Sequence, residues 1–141
     1  MARKNEEESV VEFNLAVTLL RHRQHEAAVR IFRSLAKSSS FAVEASLELA
    51  KAQLFGLGTK RDVGGAIKKL RFVARSTRPV TQFSRETAMV MLADLHLHGW
   101  AVRRDYRAAV RWLRRAEAIG SASAQGLLID LGERPSAAPA R

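Results

Sequence analysis

Apolar side chains recur along this chain at spacings of three and four. They fall at Ala66, Ile67, Leu70, Val73 and Ala74, and again at Ala109, Leu113 and Ala116. Each set occupies one face of a helix with 3.6 residues per turn. Read along the whole chain, the pattern predicts helices at 7–22, 25–37, 42–55, 63–76, 84–98, 106–119 and 123–131. The punctuation agrees. Gly56-Leu57-Gly58 ends one helix with a residue able to take positive φ, Gly120 ends another, and Asp62 and Asp105 each place a side-chain oxygen where it caps the next helix. The stretch 76–84, with Pro79, is expected to be a longer connection, and 133–141, with Pro135 and Pro139 among Ser and Ala, a frayed tail.

The pattern repeats. A shift of 43 places Leu49-Ala50 on Leu92-Ala93, Gly56 on Gly99, Asp62 on Asp105, Ala66 on Ala109 and Leu70 on Leu113. Upstream, Leu15-Ala16 falls on Leu49-Ala50 at a shift of 34, and Ala28, Phe32, Leu35 and Ala36 fall on Ala66, Leu70, Val73 and Ala74 at a shift of 38. The first unit therefore has a turn four residues shorter. Units of this length, each two amphipathic helices around a turn, cannot bury their apolar faces alone and stack on their neighbours. The expectation is an all-α chain: a short right-handed α-solenoid of about three helix hairpins (7–40, 41–83 and 84–121) with a capping helix at 122–132, forming one domain over 1–132.

Composition narrows the function. The chain has 141 residues, no cysteine and a formal charge of +10. Without cysteine there is no disulfide framework, zinc-thiolate site or cysteine nucleophile, and a reducing cytoplasm is the expected location. The apolar stretch 13–20, only about eight residues behind the acidic run Glu6, Glu7 and Glu8, is expected to be neither a membrane span nor a signal peptide. Residues 1–50 hold seven basic and seven acidic side chains, so the whole excess lies downstream. A basic surface there attracts acidic proteins, nucleic acid or anionic lipid, unless it is simply a solvated Arg-rich face.

The run Asp105-Tyr106, Ala109, Trp112-Leu113, Ala116, Gly120 and Ala124-Gln125 closely resembles the Sel-one-like repeat, a subclass of tetratricopeptide-type solenoids. Residues 49–74 resemble its first half, with Gly56, Gly58, Asp62 and Ala66, but Lys69-Leu70 stands where Trp112-Leu113 does. The first unit resembles the ordinary tetratricopeptide form through Ala16, Ala28 and Phe32. The resemblance spans roughly 10–131 and implies a scaffold or adaptor that binds a protein or peptide in a concave face, with Trp112 and Tyr106 as packing residues. No catalysis and no cofactor are implied.

By that resemblance the first helix of each unit lines the groove. Register with Ala16, Ala50 and Ala93 then puts Asn14, Val17 and Arg21, Glu48, Lys51 and Phe55, and Met91, Asp94 and His98 on the lining. The second helices carry a more regular pattern. Arg30, Arg33 and Lys37 correspond to Lys68, Arg71 and Arg75, and to Arg111 and Arg114, each set on one helical face and flanked by Lys60, Arg61, Arg103, Arg104, Arg107 and Arg115. This predicts a basic outer face that meets an acidic partner or, as the alternative, nucleic-acid phosphates without sequence readout. No recognition helix, zinc finger or aromatic-interleaved cation stretch supports the alternative. Trp100, in the turn after Gly99, is either a binding anchor or a cover for the core edge. The chain is expected as a monomer or dimer.

Enzyme and metal readings fare poorly. Ser34-Leu35-Ala36-Lys37 spells S-x-x-K without its companion motifs. His96 and His98 are two apart on a helix and diverge, and Gly56-Leu57-Gly58-Thr59-Lys60 lacks phosphate-loop spacing.

Overall fold

The computed structural model describes residues 5–133. It contains α1 (Glu6–Arg21), α2 (His25–Ser38), α3 (Ala42–Phe55), α4 (Val63–Ala74), α5 (Gln82–His98), α6 (Tyr106–Ala118) and α7 (Ala122–Asp130). Every helix lies within two residues of its expected bounds. The chain forms two compact units that divide between Ser84 and Arg85, inside α5.

In the first unit α1 packs on α2, α2 on α3 and α3 on α4. The core of its first hairpin is Ala16 from α1, Ala28, Val29, Phe32 and Leu35 from α2, and Ala45, Leu49 and Ala52 from α3. Small alanines from all three helices, Ala16, Ala28, Ala45 and Ala52, are buried around the large ring of Phe32 in this core. The ring of Phe13 meets Phe32 edge-on at 5.7 Å and stacks on Phe41 at 4.9 Å, contacts that add to the burial itself. The second unit buries Ala88, Leu92 and Ala93 of α5, Ala109, Leu113 and Ala116 of α6, and Ala124 and Leu128 of α7, with α6 packed on α7.

The 43-residue repeat is reproduced hydrogen bond by hydrogen bond. Asp62 N–H donates to the Gln53 carbonyl at 2.9 Å, and Asp105 N–H to the His96 carbonyl at 3.0 Å. The Asp62 carboxylate caps α4 through Gly65 N–H at 2.9 Å, and that of Asp105 caps α6 through Ala108 N–H at 3.0 Å. Leu57 N–H reaches back to the Ala52 carbonyl, and Trp100 N–H to that of Leu95. A sequence period has become a period of backbone connections.

Those last two bonds belong to a helix terminator in which one residue turns left-handed so that the next N–H can satisfy a carbonyl of the final turn. Gly56, Gly99, Gly120 and Gly132 take this position with φ of 64–97°. At the end of α1 the same geometry is held by Arg23, with φ of 59°, and Gln24 N–H bonds the Leu19 carbonyl at 2.8 Å. A second non-glycine, Ala101, has φ of 56° and stands one repeat beyond Gly58. A Cβ in this region crowds the following carbonyl. Ala101→Gly and Arg23→Gly are therefore each expected to raise stability by about 0.5–1 kcal/mol, read as a higher urea midpoint with an unchanged slope. A lower midpoint would show that these side chains make compensating contacts.

Gly58 has a different reason to be glycine. Its φ is 76°, and a Cβ built there would overlap the carbonyl carbon of His25 and lie 2.8 Å from the amide nitrogen of Glu26. The α3–α4 turn of one hairpin thus rests directly on the backbone at the start of α2 in the hairpin before it.

The long connection before α5 is ordered by its own side chains. A 3₁₀ turn spans Pro79–Thr81; Thr81 is fully buried, its hydroxyl 2.7 Å from Ser76 Oγ and 2.7 Å from the Arg78 carbonyl. Arg78 Nη1 donates to the Ser40 carbonyl at 3.1 Å and pins the connection to the α2–α3 turn. The expected tail needs one correction. Glu133 is tied back onto the second unit, accepting from the Tyr106 hydroxyl at 2.7 Å and lying 3.8 Å from Arg114 Nη2. Beyond Glu133 the expected tail lies outside the described residues. Tyr106, expected in the core, is 44% exposed and acts instead through that hydroxyl.

Candidate functional site

Among the outward side chains of the first unit, Arg30, Arg33 and Lys37 of α2 and Lys68 and Arg71 of α4 are exposed, as is Arg75 just after α4. Spacings of three and four along amphipathic helices with buried opposite faces dictate this. The charges have few local partners: Arg33 Nη2 donates to Thr59 Oγ1 at 2.8 Å, and Arg75 Nε donates to the Arg71 carbonyl at 3.2 Å. Among the described residues no carboxylate lies within ion-pair distance of Arg30, Arg33, Lys37, Lys68 or Arg71.

Arg33 and Lys37 are joined by a cation that the repeat arithmetic does not select. Lys69, half-buried, helps to enclose a cavity of about 240 Å³ together with these two residues, Leu49, Gln53 and Thr59. Lys68, the arithmetic partner, is the more solvated neighbour. Consecutive helical residues point about 100° apart, so an outward face and an inter-helix seam are separated by one position. The Gln53 Oε1 beside the cavity is buried without a hydrogen-bond partner. A larger cavity, about 440 Å³, lies at the start of α2 between Arg23, His25, Glu26 and Arg30, where the Glu26 carboxylate offsets the cations.

The positions expected to line a groove carry less net charge. Glu48 and Lys51 pair with each other at 3.1 Å, and so do Asp94 and His98 at 3.1 Å. Val17 is partly buried against the first core and so is largely occupied by packing. Asn14 and Arg21 are exposed, Phe55 is 60% exposed, and Met91 is half-buried.

In the second unit Arg104, Arg107 and Arg111 are exposed. Arg114 is not a free cation: it is half-buried, 3.3 Å from Glu117 Oε1 and near Glu133, so its charge is neutralised internally. Arg115 lies 5.0 Å above the half-buried Trp112 ring, a cation–π contact. The Asp105 carboxyl is held below its ordinary pKa chiefly by the Ala108 N–H bond; burial opposes this as the next largest effect, and Arg111 and then His96 add lesser electrostatic lowering. The bond to Glu133 raises the Tyr106 hydroxyl above its ordinary value. Trp100 keeps 40% of its surface exposed in the α5–α6 turn.

The glycine terminators, aspartate caps and alanine seams recur at 43 residues, and a family model for the Sel1 repeat matches at 43–68 and 87–121. The chain carries Sel1 repeats. No curated protein matches it at a significant level. Sel1 repeats generally mediate protein–protein interaction and are non-catalytic scaffolds. The matched segments hold both aspartate caps, and the first ends at Lys68, so α2 with Arg33 and Lys37 lies ahead of the first Sel1 match. Among the described residues no three His, Asp or Glu side chains gather into a metal-binding group, and no helix is long and apolar enough to cross a membrane.

Proposed function

We propose that this Sel1-repeat chain is a non-catalytic scaffold or adaptor of the reducing cytoplasm whose first unit docks an acidic protein surface on the outward cations of α2 and α4. The observation that carries this reading is the set Arg30, Lys37, Lys68 and Arg71, exposed and without carboxylate partners among the described residues. Their helices are held by a packed core, so binding orders little backbone, and the unpaired field accelerates encounter. Asn14, Arg21 and Phe55 in the first unit and Met91 in the second are proposed contacts of first-helix faces, with Trp100 as an apolar anchor. Internally paired Glu48–Lys51 and Asp94–His98 contribute less there.

The test is capture on the tagged chain from native lysate, with and without nuclease, at low and high salt. A defined protein that survives nuclease and is lost on Lys68→Glu with Arg71→Glu, while helicity is unchanged, is the expected result. Recovery of nucleic acid alone, released steeply as salt rises, would replace this reading with phosphate binding.

A further inference from the structure

Lys69 occupies the position that Trp112 holds one repeat later, 43 residues on. In the second unit that position carries a large half-buried ring. In the first unit a lysine stands there, and beside it lies the 240 Å³ cavity. The cavity wall is mainly apolar, with half-buried Ala36 and, beneath it in the core, Leu49 among its lining, while three cations, Arg33, Lys37 and Lys69, surround it. Among the described residues none of the three is paired with a carboxylate. At roughly 30 Å³ per water the space holds about eight waters. It is smaller than the roughly 300–1,000 Å³ of metabolite sites, and suits one or two side chains of a partner.

We propose that this cavity is a receptor for an acidic side chain, Glu or Asp, flanked by an aliphatic residue on a partner protein. The proposal rests on the protein-interaction reading above and gives it a specific contact. The carboxylate takes the Arg33 guanidinium and the two ammonium groups in charge-assisted hydrogen bonds, and the aliphatic neighbour packs on half-buried Ala36 and the side-chain stems of Lys37 and Lys69, over the buried Leu49. Thr59 holds Arg33 at 2.8 Å, which fixes part of the guanidinium before the ligand arrives. The apolar wall decides between anions. A phosphodiester gains nothing from the mainly apolar wall, and no aromatic ring lines the cavity for a base to stack on. An acidic side chain beside leucine satisfies both the charge and the wall.

The full-length chain is titrated with an end-blocked octapeptide, Gly-Ser-Gly-Glu-Leu-Gly-Ser-Gly, with the Leu49 methyls and the Arg33 side-chain nitrogen followed by nuclear magnetic resonance. Control peptides carry Gln for Glu or Ser for Leu, and a ten-nucleotide thymidine oligomer is the phosphate probe. Both reporters are expected to shift with the Glu-Leu peptide, and Kd is expected to rise about tenfold with either control peptide, the scale of one charge-assisted contact. Lys69→Trp restores the residue of the later repeat, so the chain is expected to stay folded while the cavity is filled and the response is lost. Should that variant lose helicity, Arg33→Gln with Lys37→Gln is expected to give the same tenfold loss.

Equal binding of the Gln peptide, an undiminished response in a folded Lys69→Trp chain, or shifts that miss Leu49 would each overturn the proposal. So would a response to the thymidine oligomer at lower concentration than to the peptide. Nuclease-resistant capture of a protein by Lys69→Trp, alongside a silent cavity in the unaltered chain, would sink the receptor and leave the interaction reading standing.

Discussion

Gly58→Ala is expected to be among the most damaging single-methyl changes in the chain, costing about 3 kcal/mol from left-handed backbone strain and overpacking together. The new Cβ has nowhere to go, because the atoms it meets are the backbone of His25 and Glu26, not the end of a flexible side chain. Gly56→Ala is the natural comparison. It shares the left-handed backbone, with φ of 65°, but its Cβ would find its nearest atom, Arg61 Cβ, at 3.4 Å. It should therefore cost only about 1 kcal/mol. Urea unfolding followed by circular dichroism measures both; equal losses would mean that conformation alone, and not the contact with α2, makes Gly58 necessary.

Phe32→Ala should cost about 3–5 kcal/mol, because Phe32 is fully buried and carries the edge contact with Phe13. Helical repeats exchange stability mainly with their nearest neighbours. Amide hydrogen exchange should accordingly accelerate in α1, α2 and α3 well before it does in α6 and α7. Uniform acceleration through all seven helices would show instead that the chain unfolds as one cooperative block.

The helices were legible from their apolar period, and several of their ends are also written in glycine and aspartate. Gly56, Gly99 and Gly120 mark C-termini by a conformation that other residues adopt with difficulty, and Asp62 and Asp105 mark N-termini through an oxygen that meets a free N–H. Where another residue takes the same conformation, as Arg23 and Ala101 do, the sequence carries no such mark. The Pro79–Thr81 turn was hidden for a similar reason, since the Ser76–Thr81–Arg78 bonds are too local and too irregular to have a period.

Glu133 escaped because tyrosine at position 106 fits the repeat pattern as a packing residue, and only the fold reveals that its hydroxyl reaches Glu133. The outward cations Arg30 and Lys68 in the first unit, and Arg111 in the second, follow from equivalence between repeats. The seam residue Lys69 does not, for its meaning lies in the difference from Trp112. Periodicity finds what the repeats share and passes over what one of them lacks.

The close approach at Gly58 bears on how such a chain can grow. The surface it meets is the peptide carbonyl of His25 and the amide of Glu26, groups that every residue other than proline presents alike. At this one contact the neighbour's side chains are immaterial, whereas the α2–α3 core and the Arg33–Thr59 bond across the same joint depend on them. A duplicated hairpin bearing glycine there needs no matched substitution at the turn itself, so its fit to the hairpin before it is decided by the core-facing positions alone, and the outward residues of each copy stay free to diverge toward separate partners.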